Sequence, residues 1–356
     1  MLLVTFHGGS KGINNVYAYN PDGSRATKAA LDEPKEGKLS ELRAMVLANG
    51  LLYVANGAKS QSTVLAYTVP DSGTSFTNPS IVIGPTLSKK GHFETSIAHP
   101  FGIVFETATV CYVSNQDTDV VSQVTVSNNG LTGSLGQGCQ SAYLNGLFPK
   151  GMFLDGTYVA SQVGILPDVN VETTVVDHAH GGLGVSFGSG KVKNSVRDVA
   201  IANGVLFVCD EPEKVVDMYS LDDGSYLGCS NALAESATHL AIDNAGLYVS
   251  AGSTLYWGQL PQSSSSASLA LQTITPTPPA SKDTLKIGGI SFDDGSPTTV
   301  YIPYQTGTGG SQPGGMIYSY SVSQQQPSAP ILSDATAVVS SLDDTPEFVL
   351  YWSGGA

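Results

Sequence analysis

PFGIVFETATVCYVSN, residues 100–115, reads as two short runs rich in Phe, Val, Ile and Tyr, joined by a polar turn. Runs of β-branched and aromatic residues bounded by Gly, Asn, Asp and Ser are the pattern of paired strands. The pair recurs along the chain. A polar or proline-bearing entry leads into an apolar run at LRAMVL from Leu42, PKGMFL from Pro149, VRDVAI from Val196, THLAI from Thr238, IGGISF from Ile287 and PEFVLY from Pro346. A second run follows each one: LLYVAN, GTYVASQ, VLFVCD, GLYVSA, TVYIPY and, for the last, MLLVTF at residues 1–6. Successive first runs begin 42 to 59 residues apart, the length of one four-stranded propeller blade. The expectation is an all-β, seven-bladed β-propeller, a single domain over residues 1–356. Its ring closes by pairing the N-terminal strand (1–6) with the C-terminal strand (346–352).

Composition points the same way. The chain has 40 Gly, 19 Pro and only 13% charged residues, and little beyond Gly37–Val46 carries a helical period. Its length of 356 residues suggests two domains, but blades without a linker close only as one unit. With 16 basic against 30 acidic residues the net charge is −14, which argues against nucleic acid or an anionic membrane as partner. No apolar run is long enough to span a bilayer, and a monomer is expected.

Met1 runs straight into a strand, so the expected compartment is either secretory, with a signal segment already removed, or cytoplasmic. Cys111 and Cys139 share one blade, and Cys209 and Cys229 occupy similar places two blades on. Four cysteines allow three pairings, and buried free thiols fit as well.

Three irregular stretches stand out: Gln262–Thr284 with SSSSAS and TPTPPAS, the Gly-rich Gln305–Met316, and QQQPSAP within Ser323–Pro330. The first and third read as surface connections. Residues 305–316, like 163–177, leave the end of a second strand, where they can lid a central channel.

Aligning the seven first runs gives one column: Arg43, Phe101, Lys150, Arg197, His239, Gly288 and Glu347. Innermost strands face the propeller axis, so this column forms a ring around one mouth. Five of its members are ionisable in a chain where few residues are charged. The ends of the second strands supply a further ring, Phe6, Asn56, Asn115, Ser161, Asp210, Ala251 and Tyr304, with His7, Gln116, Gln162, Glu211 and Gln305 one step later. Together they describe a polar cup with aromatic walls, fit for one small molecule.

Arg43, Lys150, Arg197, His239 and Glu347 are the expected catalytic set. Phe6, His7, Asn56, Phe101, Asn115, Gln116, Gln162, Asp210, Tyr304 and Gln305 are the expected substrate-binding set. The bland counter-reading is an axis plugged by mutually neutralising ion pairs. Asp177, His178 and His180 in DHAHGG read as a turn rather than zinc ligands, and neither metal nor cofactor is expected. The partner is a small organic substrate with a polarisable carbonyl or phenolic oxygen.

HPFGIVF and CYVSNQDTDVVSQVTV, within residues 99–126, resemble the YVTN-type blade of seven-bladed lactonase and muconate-cyclase propellers; LLYVANG from Leu51 is a second match. That resemblance implies ring opening or ring closure of a small molecule in an axial pocket, often without a metal. The whole chain also looks like the fungal propellers that catalyse hetero-Diels–Alder cyclisation of polyketide–terpenoid products. A metal-independent cyclase of natural-product metabolism is therefore the leading expectation, with a lactonase second and a non-enzymatic protein- or glycan-binding propeller third. Residues that differ from blade to blade favour one asymmetric site over seven equal ones.

Overall fold

The computed structural model describes residues 1–7, 12–57, 62–84, 97, 99–116, 120–140, 152–154, 157–159, 196–222, 226–244, 246–266, 268–274, 276–279, 284–294, 298–306, 314–325 and 328–354. Each blade is an antiparallel meander running from the axis to the rim. Blade I orders Pro346–Tyr351, Leu2–Phe6, Tyr17–Tyr19 and Arg25–Thr27; blade II is Leu42–Ala48, Leu51–Asn56, Thr63–Thr68 and Thr77–Ile83. Blade III is Pro100–Thr107, Val110–Asn115, Val120–Val126 and Gly133–Gln140; blade IV is Val196–Ala202, Val205–Asp210, Val215–Ser220 and Tyr226–Cys229. Blade V is Ala237–Ile242, Gly246–Ala251, Thr254–Gln259 and Gln272–Ile274. In blade VI the short pieces Lys286–Ile287 and Ser291–Phe292 share the innermost place, followed by Thr299–Thr306, Gly314–Gln325 and Ser328–Leu342. Leu2, Leu3 and Val4 pair with Tyr351, Leu350 and Val349, which closes the ring.

The ring has six blades, which corrects the seven expected. At the repeat from Pro149 the described residues form a two-stranded sheet, Met152–Leu154 with Thr157–Val159, and the sheets on either side of it in sequence pack directly on each other. Tyr112 and Val121 of blade III share one core with Val196, Val199, Leu206, Val208 and Tyr219 of blade IV. Gly102 lies so close to blade IV that a Cβ there would meet the Cα of Asp198 at 2.9 Å and the backbone nitrogen of Val199 at 3.0 Å. The Ser114 hydroxyl donates to the Arg197 carbonyl and accepts from the Gly102 N–H. The faces of blades III and IV cover each other, so the two sheets are neighbours in the ring.

Among the described residues the apolar core divides into six clusters, each spanning two neighbouring blades. This explains the continuous hydrophobic second strands, such as Leu51–Asn56 and Gly246–Ala251, which are buried at every position because both faces meet another sheet. At the I/II seam Trp352 packs on Phe76 with ring centroids 5.0 Å apart.

Two local readings change. Gly37–Val46 contains no helix; Leu42–Ala48 is the innermost strand of blade II, its buried end facing the core. Within the low-complexity stretch 262–284, Gln272–Ile274 is the outermost strand of blade V, because Leu269, Leu271 and Ile274 are apolar enough to cover that edge. Cys111 and Cys209 are free thiols, with burial pushing Cys111 up to about 12; the side chain of Cys139 lies outside the described residues. No helix among the described residues is long and apolar enough to cross a membrane.

Candidate functional site

The innermost strands bring Arg43, Phe101, Arg197, His239 and Glu347 together on the axis, as their column predicts. Phe101 sits at the centre, fully buried. The guanidinium of Arg197 lies 4.8 Å from the centroid of its ring and that of Arg43 5.6 Å, while the rings of His239 and Phe348 approach to 5.5 and 5.4 Å. An aromatic face beneath two cations stabilises both, the more so when water is excluded.

The strand pleat decides which residues reach this place. Glu347 is carried by the strand that also hydrogen-bonds blade VI, since the Gly289 N–H donates to the Glu347 carbonyl at 2.7 Å and the Val349 N–H to the Gly289 carbonyl at 3.1 Å. A Cβ at Gly288 would meet the Glu347 carbonyl oxygen at 2.6 Å, so only glycine fits in that column position. The Glu347 carboxylate is buried, with Oε2 3.0 Å from His7 Nδ1 and Oε1 3.8 Å from His239 Nε2. Burial alone raises a carboxyl, but the His7 hydrogen bond and the charge of Arg43 outweigh it and hold Glu347 well below the usual range. With Glu347 ionised, His7 Nδ1 is the donor of this bond, on a side chain that is 50% exposed.

His239 is buried between Phe101 and Phe348. Burial pushes its imidazole down to about 4, with Arg197 and Arg43 adding to the effect and Glu347 opposing it. It is neutral at neutral pH, and its Nδ1 lies 2.9 Å from Thr238 Oγ1. Burial also pushes Arg43 down, while Glu347 and Glu41 pull it back.

Compensation is fuller than the column suggested. Arg197 is held bidentately by Glu211, Nε to Oε2 at 2.8 Å and Nη2 to Oε1 at 2.9 Å. Arg43 Nη2 stands 3.6 Å from Glu41 Oε2, which also lies 3.1 Å from His99 Nε2. Glu41 and His99 escape a search by blade column because they sit one residue ahead of their strands. Their signal was local: an acidic residue beside LRAMVL and a histidine beside PFGIVF.

The second ring splits by alternation. His7 pairs with Glu347 and Glu211 with Arg197, both on partly exposed side chains. Gln305 instead ties Nε2 to the Pro346 carbonyl at 2.7 Å, and the Gln116 N–H donates to the His99 carbonyl at 3.1 Å. The preceding residues turn into the blades: Asn56 holds Ser40, Lys38 and Thr63, and Asn115 holds Val113 and Ser122. Asp210 receives the Glu213 N–H, Tyr304 meets the Tyr320 hydroxyl at 2.7 Å, and Phe6 stacks edgewise on Tyr17. Lys150, Gln162, residues 163–177 and DHAHGG fall outside the described residues, as do 307–313 of the second expected lid.

Six meanders in a closed ring, with the axial residues on the innermost strands, fix the architecture. The chain is a β-propeller. Among solved structures it is similar to the periplasmic gluconolactonase PpgL of Pseudomonas aeruginosa, with TM-score 0.54, 11% identity, and 98% of this chain and 97% of that one covered. A Lactobacillus plantarum protein gives TM-score 0.52 at 10% identity over 94% and 81% of the two chains. At such identities the likeness is one of fold. No family model and no curated sequence matches the chain. Nothing in these comparisons carries the resemblance to hetero-Diels–Alder propellers.

Proposed function

We propose that this propeller hydrolyses small cyclic esters at its axial mouth, with His7 as the base. The observation that carries the reading is the dyad itself: a buried, ionised Glu347 fixing the tautomer of a half-exposed imidazole. His7 Nε2 takes a proton from water as the water oxygen bonds to the lactone carbonyl carbon. Collapse of that adduct breaks the ring C–O bond, and the His7 imidazolium returns the proton to the departing alkoxide, giving a hydroxy acid. Glu347 steadies the transient imidazolium charge.

Arg197 is the donor best placed for the oxyanion. It belongs to the blade opposite His7 across the ring and is held rigidly by Glu211 and Phe101. Preorganised donors of this kind are worth roughly 3 kcal/mol at a transition state. The structural likeness to a protein named a gluconolactonase supports the same reaction class. Cyclisation needs no base, so it gives the Glu347–His7 dyad no task.

Proton release over a panel of five- and six-membered lactones, with chelator present, tests the reading. Release is expected, falling about 10²- to 10⁴-fold in His7→Ala and at least about tenfold in Arg197→Ala. Silence across the panel, or a His7→Ala variant as fast as wild type, overturns it.

A further inference from the structure

On the side of the mouth formed by blades II and III, a second group of side chains is held in place by strained backbone. Glu41 has φ 51° and His99 φ 52°, left-handed conformations that non-glycine residues avoid, and each sits just before an innermost strand. Gly57 is clamped against them: a Cβ there would meet His99 Cδ2 at 2.8 Å and the Glu41 carbonyl oxygen at 2.9 Å. The pairing uses one carboxylate oxygen. Oε2 of Glu41 faces both His99 Nε2 and Arg43 Nη2, and Oε1 has no partner among the described residues on a side chain 31% exposed.

Arg43 supplies the independent observation. It is only 3% exposed, and its Nε and Nη1 have no hydrogen-bond partner among the described residues. Buried guanidinium donors left unmet are costly, so these two donors gain from any oxygen brought to them. Gln116 Oε1, on the residue whose N–H bonds the His99 carbonyl, is an unmet acceptor as well.

Acceptor and donor side by side discriminate between ligand groups. A carboxylate would be drawn to Arg43 but repelled by Glu41 and Glu347, and an ammonium would be drawn to Glu41 but repelled by Arg43 and Arg197. A neutral hydroxyl both donates and accepts, and satisfies the two sides together. We propose that Glu41 and Arg43 form a hydroxyl-recognition subsite beside the axial dyad, which selects lactones bearing a ring hydroxyl. This inference rests on the hydrolase reading for its substrate and on the Glu41–Arg43 geometry for its selectivity.

The test has two arms. In the first, kcat/KM is measured on a δ-lactone carrying a ring hydroxyl and on its deoxy counterpart. Wild type is expected to prefer the hydroxylated lactone at least about tenfold, and Glu41→Gln and Glu41→Ala to shrink that ratio to about threefold or less, mainly through KM. In the second, ligand-observed NMR follows binding of a non-hydrolysable cyclic polyol ether against tetrahydropyran. The polyol is expected to bind wild type and His7→Ala alike and to weaken in both Glu41 variants, with melting curves showing that each variant folds.

Binding that depends on Glu41 without any lactone turnover removes the hydrolase reading and leaves the subsite standing. Hydrolysis that ignores the hydroxyl removes the subsite and leaves the hydrolase. Failure of the polyol to bind overturns the subsite, with water alone filling it.

Discussion

Glu347→Gln removes one charge at the point where four side chains meet, and its consequences follow from their geometry. Arg43 and His7 both favour the ionised carboxylate. Neutralising it leaves Arg43 buried with only Glu41 as a counter-charge, at 3.6 Å. Breaking a buried ion cluster by removing one partner typically costs about 3–5 kcal/mol. For a chain of 356 residues the unfolding entropy scales to roughly 0.75 kcal/mol/K, so the melting temperature should fall by about 4–7 °C. Turnover should fall further than folding does. The glutamine amide can still accept from His7 Nδ1, but it no longer stabilises the imidazolium, and a loss of at least about 10²-fold in kcat is expected. Differential scanning fluorimetry and proton release on the same preparations separate the two effects. An unchanged melting temperature would show that the axial charges do not stabilise the fold, and unchanged kcat would refute the dyad.

Three further outcomes are expected. The fold holds His239 neutral with a pKa of about 4 against an ordinary 6.5, so its contribution is complete above pH 6.5 and is lost as pH falls towards 4, up to about 3 kcal/mol. Asp198 has the opposite slope. Burial raises it to about 7 against the N–H donors of Leu240 and Val199, so its protonated form favours the fold below pH 4 and that benefit is lost as pH rises towards 7. Wild-type melting temperature should therefore be nearly level between pH 4 and 6.5; His239→Phe should expose a decline with rising pH, and Asp198→Asn a decline with falling pH, both read by fluorimetry. Gly102→Val should cost at least about 3 kcal/mol in urea unfolding, because its side chain meets the backbone of blade IV; tolerance would mean that blades III and IV do not touch. Trp352→Ala should cost about 3–5 kcal/mol in the same assay by emptying the seam beside Phe76, and a loss below 1 kcal/mol would refute that packing.

The strand pairs were legible because each repeat carries its own grammar: an apolar run, a turn and a second run buried on both faces, as in PFGIVF and VCYVSN or VRDVAI and VLFVCD. The same local grammar allowed the axial column Arg43, Phe101, Arg197, His239 and Glu347 to be named, since equivalent positions in equivalent blades meet at the axis. Ring closure by residues 1–6 and 346–352 followed from a first run left without its second. These are properties of short segments, and sequence states them directly.

Blade number is different. It depends on whether the faces of two sheets are better covered by each other or by a third sheet between them, and Gly102 against Asp198 together with Ser114 against Arg197 decide that in space. Met152–Leu154 and Thr157–Val159 repeat the signature as a strand pair, yet the faces of blades III and IV meet directly. Electrostatic roles were hidden for the same reason. Which carboxylate compensates which cation is set by side chains converging from different blades, so Glu211 on Arg197, Glu41 with His99 and Glu347 beneath His7 had no trace in spacing. Sequence alone determined the repeating strands and the column of equivalent positions along their first members. Tertiary structure alone decided how many blades surround it and which of those residues are neutral, paired or free to meet a ligand, because desolvation and ion pairing act across gaps of a few ångströms between segments far apart in the chain.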